Sequence, residues 1–349
     1  MIKKSLENAL YNLGRDKEIR TRLINFLKNS EKSLNYNGSK RDDVIGPIVD
    51  ALHDEDDVYE KLLSDGTSIK FFFRTQIARD FLLSTSNKPS HVWEPQTTKL
   101  LLYLAKNLND DILIGGAYFG DHAILVAKSI NTRGGVVHCF EPNLDQNKML
   151  NENKKINALK NIKINKHGLW SHSDKYLKLT GFDSFANSVL ASDSEEAFKT
   201  VTIDDYCLAK KKRLGLIQLD IEGSELKALE GAKNTIKSDK PVIVFEIHKD
   251  YVDWSNGLKN TPVCKLLLKK GYTIFAIRDF HSHLEMRDKK IELIPLNKVF
   301  LKGPPHGFNM VATADIKIFN NKKFKIVENV SPKLLLHKNA KLHHPTDGL

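Results

Sequence analysis

The chain is poor in cysteine. It has three in 349 residues, and Cys139, Cys207 and Cys264 lie too far apart for a disulfide framework or for the paired spacing of a zinc motif. It lacks any run approaching the ~18 consecutive apolar residues that a membrane-spanning helix needs. Its opening segment, MIKKSLENALYNLG, is interrupted by polar residues too often for the core of a signal peptide. These absences predict a cytoplasmic protein without structural disulfides. An acidic excess is missing as well: Lys and Arg number 54 against 43 Asp and Glu, a net charge of +11. That balance favours an anionic partner such as an acidic glycan, a nucleic acid or a phospholipid face. The excess is scattered lysine, however (Lys210 to Lys212, Lys289 and Lys290, Lys322 and Lys323), without interleaved arginine and aromatic residues. It reads as solvated surface and argues against nucleic acid.

What is present is the composition of a folded soluble protein, 41% hydrophobic and 28% charged, long enough for two or three domains. Residues 1–95 read as a packed helical N-terminal region, because Ile2, Leu6, Ala9, Leu10 and Leu13 share one face, as do Ile19, Leu23, Phe26 and Leu27, then Ile45, Ile48, Val49 and Leu52. A further helix is expected over the aromatic run Phe71 to Leu83. From residue 96 the texture changes to strand alternating with helix, the signature of a parallel sheet with crossovers. Seven strands are expected, at Ile112–Gly115, Val136–Phe140, Ile162–Asn165, Leu216–Leu219, Val242–Ile247, Tyr272–Ile277 and Asn309–Thr313. They form a doubly wound α/β domain over residues 96–315 with a reversed last strand. Between them the periodicity predicts helices at Ala123–Ile130 and Ser224–Ile236. Residues 316–349 read as a lysine-rich, partly disordered tail.

Three features aim at one crevice. The stretch DILIGGAYFGDHAILVA, Asp111 to Ala127, is a strand, a glycine turn and a helix; Gly116 and Gly120 permit a tight turn, and the helix near Asp121 offers free backbone N–H groups. About 20 residues further on, the next strand ends in HCFEP and delivers Glu141 where an acid receives the hydroxyls of a ribose. Then IQLDIEGSELKALEGA, Ile217 to Ala232, brings Asp220 and Glu222 to a turn at Gly223, with Ser224 placed to cap the following helix. The neighbouring PVIVFEIHKD carries Glu246 and His248 on one face of its strand. Ligands of open α/β sheets bind outside the carboxyl ends of the strands, which is where all of these residues fall.

TIDDY (Thr202 to Tyr206), LIQLDIEGSELKALEGA (Leu216 to Ala232) and PVIVFEIH (Pro241 to His248), with FEP at Phe140 to Pro142 and WEP at Trp93 to Pro95, resemble the FkbM family of S-adenosylmethionine-dependent methyltransferases. The likeness covers Trp93 to Ile277, with weaker support to Thr313. It implies a class I methyltransferase fold, a Rossmann-like seven-stranded sheet. It implies S-adenosylmethionine bound by Glu94, Gly116, Ala117, Tyr118, Gly120, Asp121, Glu141 and Asp220, with methyl transfer to an oxygen of a small molecule or glycan. Asp220 and His248 are then the candidate bases. The family's first turn reads D-x-G-A-N-x-G, where this chain has Ile114 for the aspartate and Tyr118 for the asparagine; Asp121 or Glu94 would compensate. Asp220, Glu246 and His248 are also of metal-ligating types, although no metal is expected. Tyr251 and Trp254, with the stretch Arg278 to Lys290, are placed to wall the acceptor site, where Arg278, His281, His283 and His306 would grip hydroxyls or an anionic group. The N-terminal helices offer a surface for forming a homo-oligomer or for covering the acceptor side. Two other readings remain open: methylation of a nucleic-acid ribose, and a non-catalytic Rossmann-like module. The G-x-G-x-x-G run of a dehydrogenase is not met by GGAYFG.

Overall fold

The computed structural model describes residues 2–333, apart from 32, 38–39, 55, 76, 85, 182–186, 195–196, 280–284 and 302–306. Its N-terminal part holds α1 (Ile2–Gly14), α2 (Lys17–Ser30), a π-helical turn leading into α3 (Gly46–Ala51), a hairpin of β1 (Val58–Leu62) and β2 (Ser68–Phe72), and α4 (Ala78–Leu82). Asp16 caps α2 by accepting from Glu18 N and Ile19 N. Ile24, Ile45, Val49, Leu52 and Leu83 form a small core of their own.

Two expectations are corrected here. The aromatic run from Phe71 begins in a strand, because Ile69 and Phe71 are buried while their neighbours are only half-buried, a period of two and not 3.6. An Asp65-Gly66 turn, with Gly66 at φ +80°, reverses the chain between the two strands. The first helices are also less packed than their periodicity suggests: Leu6 (60%) and Phe26 (64%) stay exposed.

The rest of the chain runs α5 (Pro95–Asn107), β3 (Asp111–Gly115), α6 (Ala123–Ile130), β4 (Val137–Phe140), α7 (Leu144–Ile156) and β5 (Ile162–Asn165). An insertion follows with β6 (Gly168–Leu169), β7 (Tyr176–Thr180), β8 (Asn187–Leu190) and β9 (Ala197–Val201), which the sequence did not announce. Then come α8 (Ile203–Lys210), β10 (Leu214–Leu219), α9 (Glu225–Glu230), α10 (Lys233–Asp239), β11 (Val242–His248), α11 (Pro262–Lys269), β12 (Thr273–Ile277), β13 (Ile291–Pro295), β14 (Gly307–Thr313) and β15 (Phe324–Ile326).

The main sheet has the order β15-β13-β12-β14-β11-β10-β3-β4-β5. All seven expected strands are in it. β14 is antiparallel to both β11 and β12, so the reversed strand is inserted between them and does not sit at the sheet edge. Alternation assigns the two faces: on β10, Leu216 joins the core beneath α5 and α6, while Ile217 and Leu219 join the core beneath α8 to α11. The strand order reverses at β3, with β4 on one side and β10 on the other, and that opens a crevice at their carboxyl ends.

The expected helix Ser224–Ile236 is broken into α9 and α10. At Gly231 a Cβ would stand 2.2 Å from Trp170 O, so the chain passes too close to its neighbour for any side chain. Ser224 makes no capping bond to α9. The C-terminal stretch is also more ordered than expected: β15 pairs in parallel with β13, and the chain beyond it bridges Asp279 to Lys333.

Candidate active site

On the β3 side the crevice is built by backbone bonds. Gly116 N and Ala117 N both donate to Phe140 O, at 3.0 and 3.1 Å, and Asp220 N donates to Gly115 O at 3.1 Å. A Cβ on Gly116 would lie 1.7 Å from Asp220 O, and the residue has φ +73°. Gly120 (φ +97°) would drive a Cβ to 2.6 Å from Leu150 Cδ1. Both glycines therefore answer to the close approach of neighbouring chain. Tyr118, at φ 48°, completes the turn. Glu141 is buried and braces it: Oε2 accepts from Tyr118 N and Oε1 from Asn143 N, both at 2.8 Å. Asp121 lies beside His122, 3.8 Å from its Nδ1. Ile114 is 1% exposed and belongs to the apolar layer, so no carboxylate from that position faces the crevice.

On the β10 and β11 side the arrangement is acidic. The chain turns after Asp220 through Glu222 (φ 50°) and Gly223 (φ +90°). Glu225, which the sequence reading did not single out, holds this turn by accepting from Ile221 N at 2.9 Å. No hydrogen bond to the Asp220 or Glu246 carboxylate is formed among the described residues. Asp220, Glu222 and Glu246 have oxygens within 4.8 Å of one another. Glu222, rather than the His248 that the sequence grouped with Asp220 and Glu246 as a metal-ligating type, is the third member of this group. Loss of water around the carboxyl groups pushes Asp220 and Glu246 well above the usual carboxylate range, and each carboxylate raises its neighbours further. Glu222 and Glu225 are pushed up to about 7 by burial. His248 shares the Glu246 face of β11, with both side chains half-buried. Its Nδ1 accepts from Asp250 N at 3.2 Å. A Cβ on Gly307, opposite His248 on β14, would strike His248 Cδ2 at 2.5 Å and Glu246 Oε1 at 2.6 Å; glycine there leaves room for both.

Further charged groups gather around this cluster. Glu94 has left-handed backbone and no capping bond to α5. Asp279, arriving after β12, caps that helix instead, accepting from Gln96 N, Thr97 N and Thr97 Oγ1 at 2.9, 2.7 and 2.7 Å. The Glu94 carboxylate is thereby released toward β14, where Oε2 accepts from Asn309 Nδ2 at 2.6 Å. Lys333, 2% exposed, places its Nζ 3.9 Å from Glu94 Oε1. Asp279, Asn309 and Lys333 carried no sequence signal, because each lies far along the chain from the motifs.

Arg278, expected to grip the acceptor, is buried and paired with Glu292 at 2.9 Å; it ties β12 to β13. Tyr251 packs over Gly223, where a Cβ would meet its ring at 2.7 Å, and Trp254 packs on Phe308. His281, His283 and His306 lie outside the described residues. The lysines taken as scattered are partly gathered: Lys289, Lys290, Lys322 and Lys323 line one groove of about 440 Å³ with Lys99, Lys106 and Arg287.

Residues 115–288 match the model of the methyltransferase FkbM domain. No curated protein matches the chain. Among solved structures, similarity is found to the methyltransferase FkbM from Methylobacillus flagellatus KT, at 16% identity and TM-score 0.37, covering 58% of this chain and 43% of that one. P. horikoshii TYW2 in complex with MeSAdo is similar at 12% identity and TM-score 0.38, over 76% and 74% of the two chains. The Pyrococcus abyssi tRNA (uracil-54, C5)-methyltransferase in complex with S-adenosyl-L-homocysteine is similar at 15% identity and TM-score 0.35, over 73% and 44%. The chain thus spans under half the length of the first and the third. No helix among the described residues is long and apolar enough to cross a membrane.

Proposed function

Because the chain carries a methyltransferase FkbM domain, we propose that it uses S-adenosylmethionine to methylate a hydroxyl oxygen of a saccharide or related small molecule. The observation that carries this reading is the half-buried pair Asp220 and Glu246, two carboxylates at the carboxyl ends of adjacent strands that receive no hydrogen bond from the described residues. A hydroxyl is a poor nucleophile until its proton is taken, and a carboxyl group raised from its usual range is suited to take it near neutral pH.

The residues on the β3 side fit the cofactor at its ribose. Glu141 stands at the end of β4 with two of its acceptor positions already fixed by backbone N–H groups. A carboxylate held at this place, just past the carboxyl end of the strand next to the glycine turn, is where an acid receives the two hydroxyls of a ribose. Gly116, Ala117, Tyr118, Gly120 and Asp121 shape the turn beside it. When bound, S-adenosylmethionine supplies a methyl group on a positively charged sulfur and departs as the neutral thioether. Asp220 accepts the hydroxyl proton while the new O–CH3 bond forms, and Glu246 beside it stabilises the shared proton. His248, on the same face of β11, is the second candidate base. The crowded turn, fastened to both neighbouring strands, fixes the approach of the reacting atoms.

Incubation with a saccharide panel and methyl-labelled cofactor tests the proposal. Asp220→Asn should lower turnover about 100-fold and leave cofactor affinity nearly unchanged; equal losses in both would move Asp220 into cofactor binding. A second reading, methylation of an RNA ribose, draws on the basic groove at Lys99, Lys106, Lys290, Lys322 and Lys323. RNA binding that falls steeply with added salt would favour it.

A further inference from the structure

Lys333 is out of place for a lysine. It is 2% exposed, and its Nζ is buried without a hydrogen-bond partner among the described residues. The carboxylates that act on it are Glu94, Glu246, Asp279 and Asp220, from α5, β11, the end of β12 and the end of β10. Against these, and Glu222 beside them, Lys333 is the lysine that the described residues bring to the cluster, with its Nζ 3.9 Å from Glu94 Oε1. Two buried carboxylates, Glu94 and Asp279, and two half-buried ones, Asp220 and Glu246, could not all ionise side by side without a compensating charge. The delivery is built into the fold: Asp279 N donates to Pro332 O at 2.8 Å, Phe300 N donates to Val330 O at 3.0 Å, and Lys333 bridges Asp279. Burial draws its ammonium below the ordinary lysine value, and the same four carboxylates oppose that fall.

We propose that Lys333, carried in by the C-terminal strap, is the built-in cation of the acceptor-side carboxylates and stands in for a divalent metal there. The argument rests on the assignment of Asp220 and Glu246 to the acceptor. Asp220, Glu222 and Glu246 have the spacing of a metal site, and the ammonium stands next to that group at Glu94, whose Oε2 is held by Asn309, the β14 partner of Glu246. One positive charge on a tether favours ionisation of Glu246 within this crowded group and makes binding of a second, doubly charged ion unfavourable. Lys333 is thus a positioning residue, acting through the carboxylates. Its ammonium has donors to spare for a water or for an acceptor oxygen.

The test uses the full chain and Mn2+ as the probe. Lys333→Ala should bind Mn2+ at least about tenfold more tightly than the unmodified protein by paramagnetic resonance, since a neighbouring unit charge has been removed. Its methyl transfer should fall about tenfold or more and return in part with added propylammonium, but not with propanol. A Lys333→Ala protein that binds Mn2+ no better, or is rescued equally by propanol, overturns the proposal. Should that variant not fold, Mn2+ titration of the unmodified protein decides alone: tight binding abolished by Glu246→Gln overturns it, and absence of binding supports it. The Mn2+ measurements need no acceptor, so failure to find methyl transfer counts against the functional reading and not against Lys333.

Discussion

The two banks of the crevice use their polar groups in opposite ways. On the β3 and β4 bank, Glu141 has both oxygens bonded to backbone N–H groups and the turn is fastened to Phe140 O and Asp220 N. On the β10 and β11 bank, the half-buried Asp220 and Glu246 carboxylates receive no hydrogen bond from the described residues, and Lys333 is buried with none either. The first bank spends its hydrogen bonds on shape and stabilises the fold. The second leaves charges unsatisfied at a cost in stability, which is what chemistry on a hydroxyl requires.

The contrast breaks most severely at Gly116. Gly116→Ala would force a Cβ to within 1.7 Å of Asp220 O at φ +73°. We expect a loss of roughly 3 kcal/mol or more in denaturant unfolding, so an unchanged midpoint would refute the close approach. Asp220→Asn acts on the other bank and should do the reverse: turnover falls about 100-fold, while stability at pH 8 holds or rises because a buried charge is removed.

A smaller effect is the pH dependence of folding. Glu225, almost fully buried, is pushed from 4.5 up to about 7, so the folded state holds its proton more tightly than the unfolded chain does. Stability from this residue is fully present below about pH 4.5 and is lost as pH rises through 7, by about 3 kcal/mol at most. Glu225→Gln keeps the acceptor for Ile221 N and should flatten that part of the profile; an identical slope would show that the burial is ineffective. The smallest effect belongs to the satisfied bank. Asn143 caps α7 through Asp145 N and Gln146 N, and Asn143→Ala should cost about 1 kcal/mol in thermal unfolding without altering the pH profile.

Much of the fold was legible because apolar periodicity is a local property. Val242 to Ile247 reads as a buried strand and lies within β11, and the seven expected strands are all among the nine of the crevice-bearing sheet; β13 and β15 carried no comparable signal. The hairpin at residues 58–72 was missed because Phe71 to Leu83 joins a strand and a helix in one aromatic run, and the Asp65-Gly66 turn was overlooked. The insertion from Gly168 to Val201 was missed because its strands are short and mostly half-exposed. At the site, Glu141, Asp220 and Glu246 were placed correctly at strand ends. Glu225 was passed over as one more acid of an amphipathic helix.

The sequence by itself determined the alternation of strands and helices, the glycine turn after β3 and the carboxylates at the ends of β4, β10 and β11. Each of these depends on residues within a few positions of one another. Only the tertiary structure decided that Asp279 caps α5 and frees Glu94, that Glu222 and not His248 completes the acidic group, and that Lys333 arrives beside it. Those contacts join residues more than 100 positions apart in several cases, as from Asp279 to Thr97, and chain folding alone brings such pairs within hydrogen-bonding or electrostatic range.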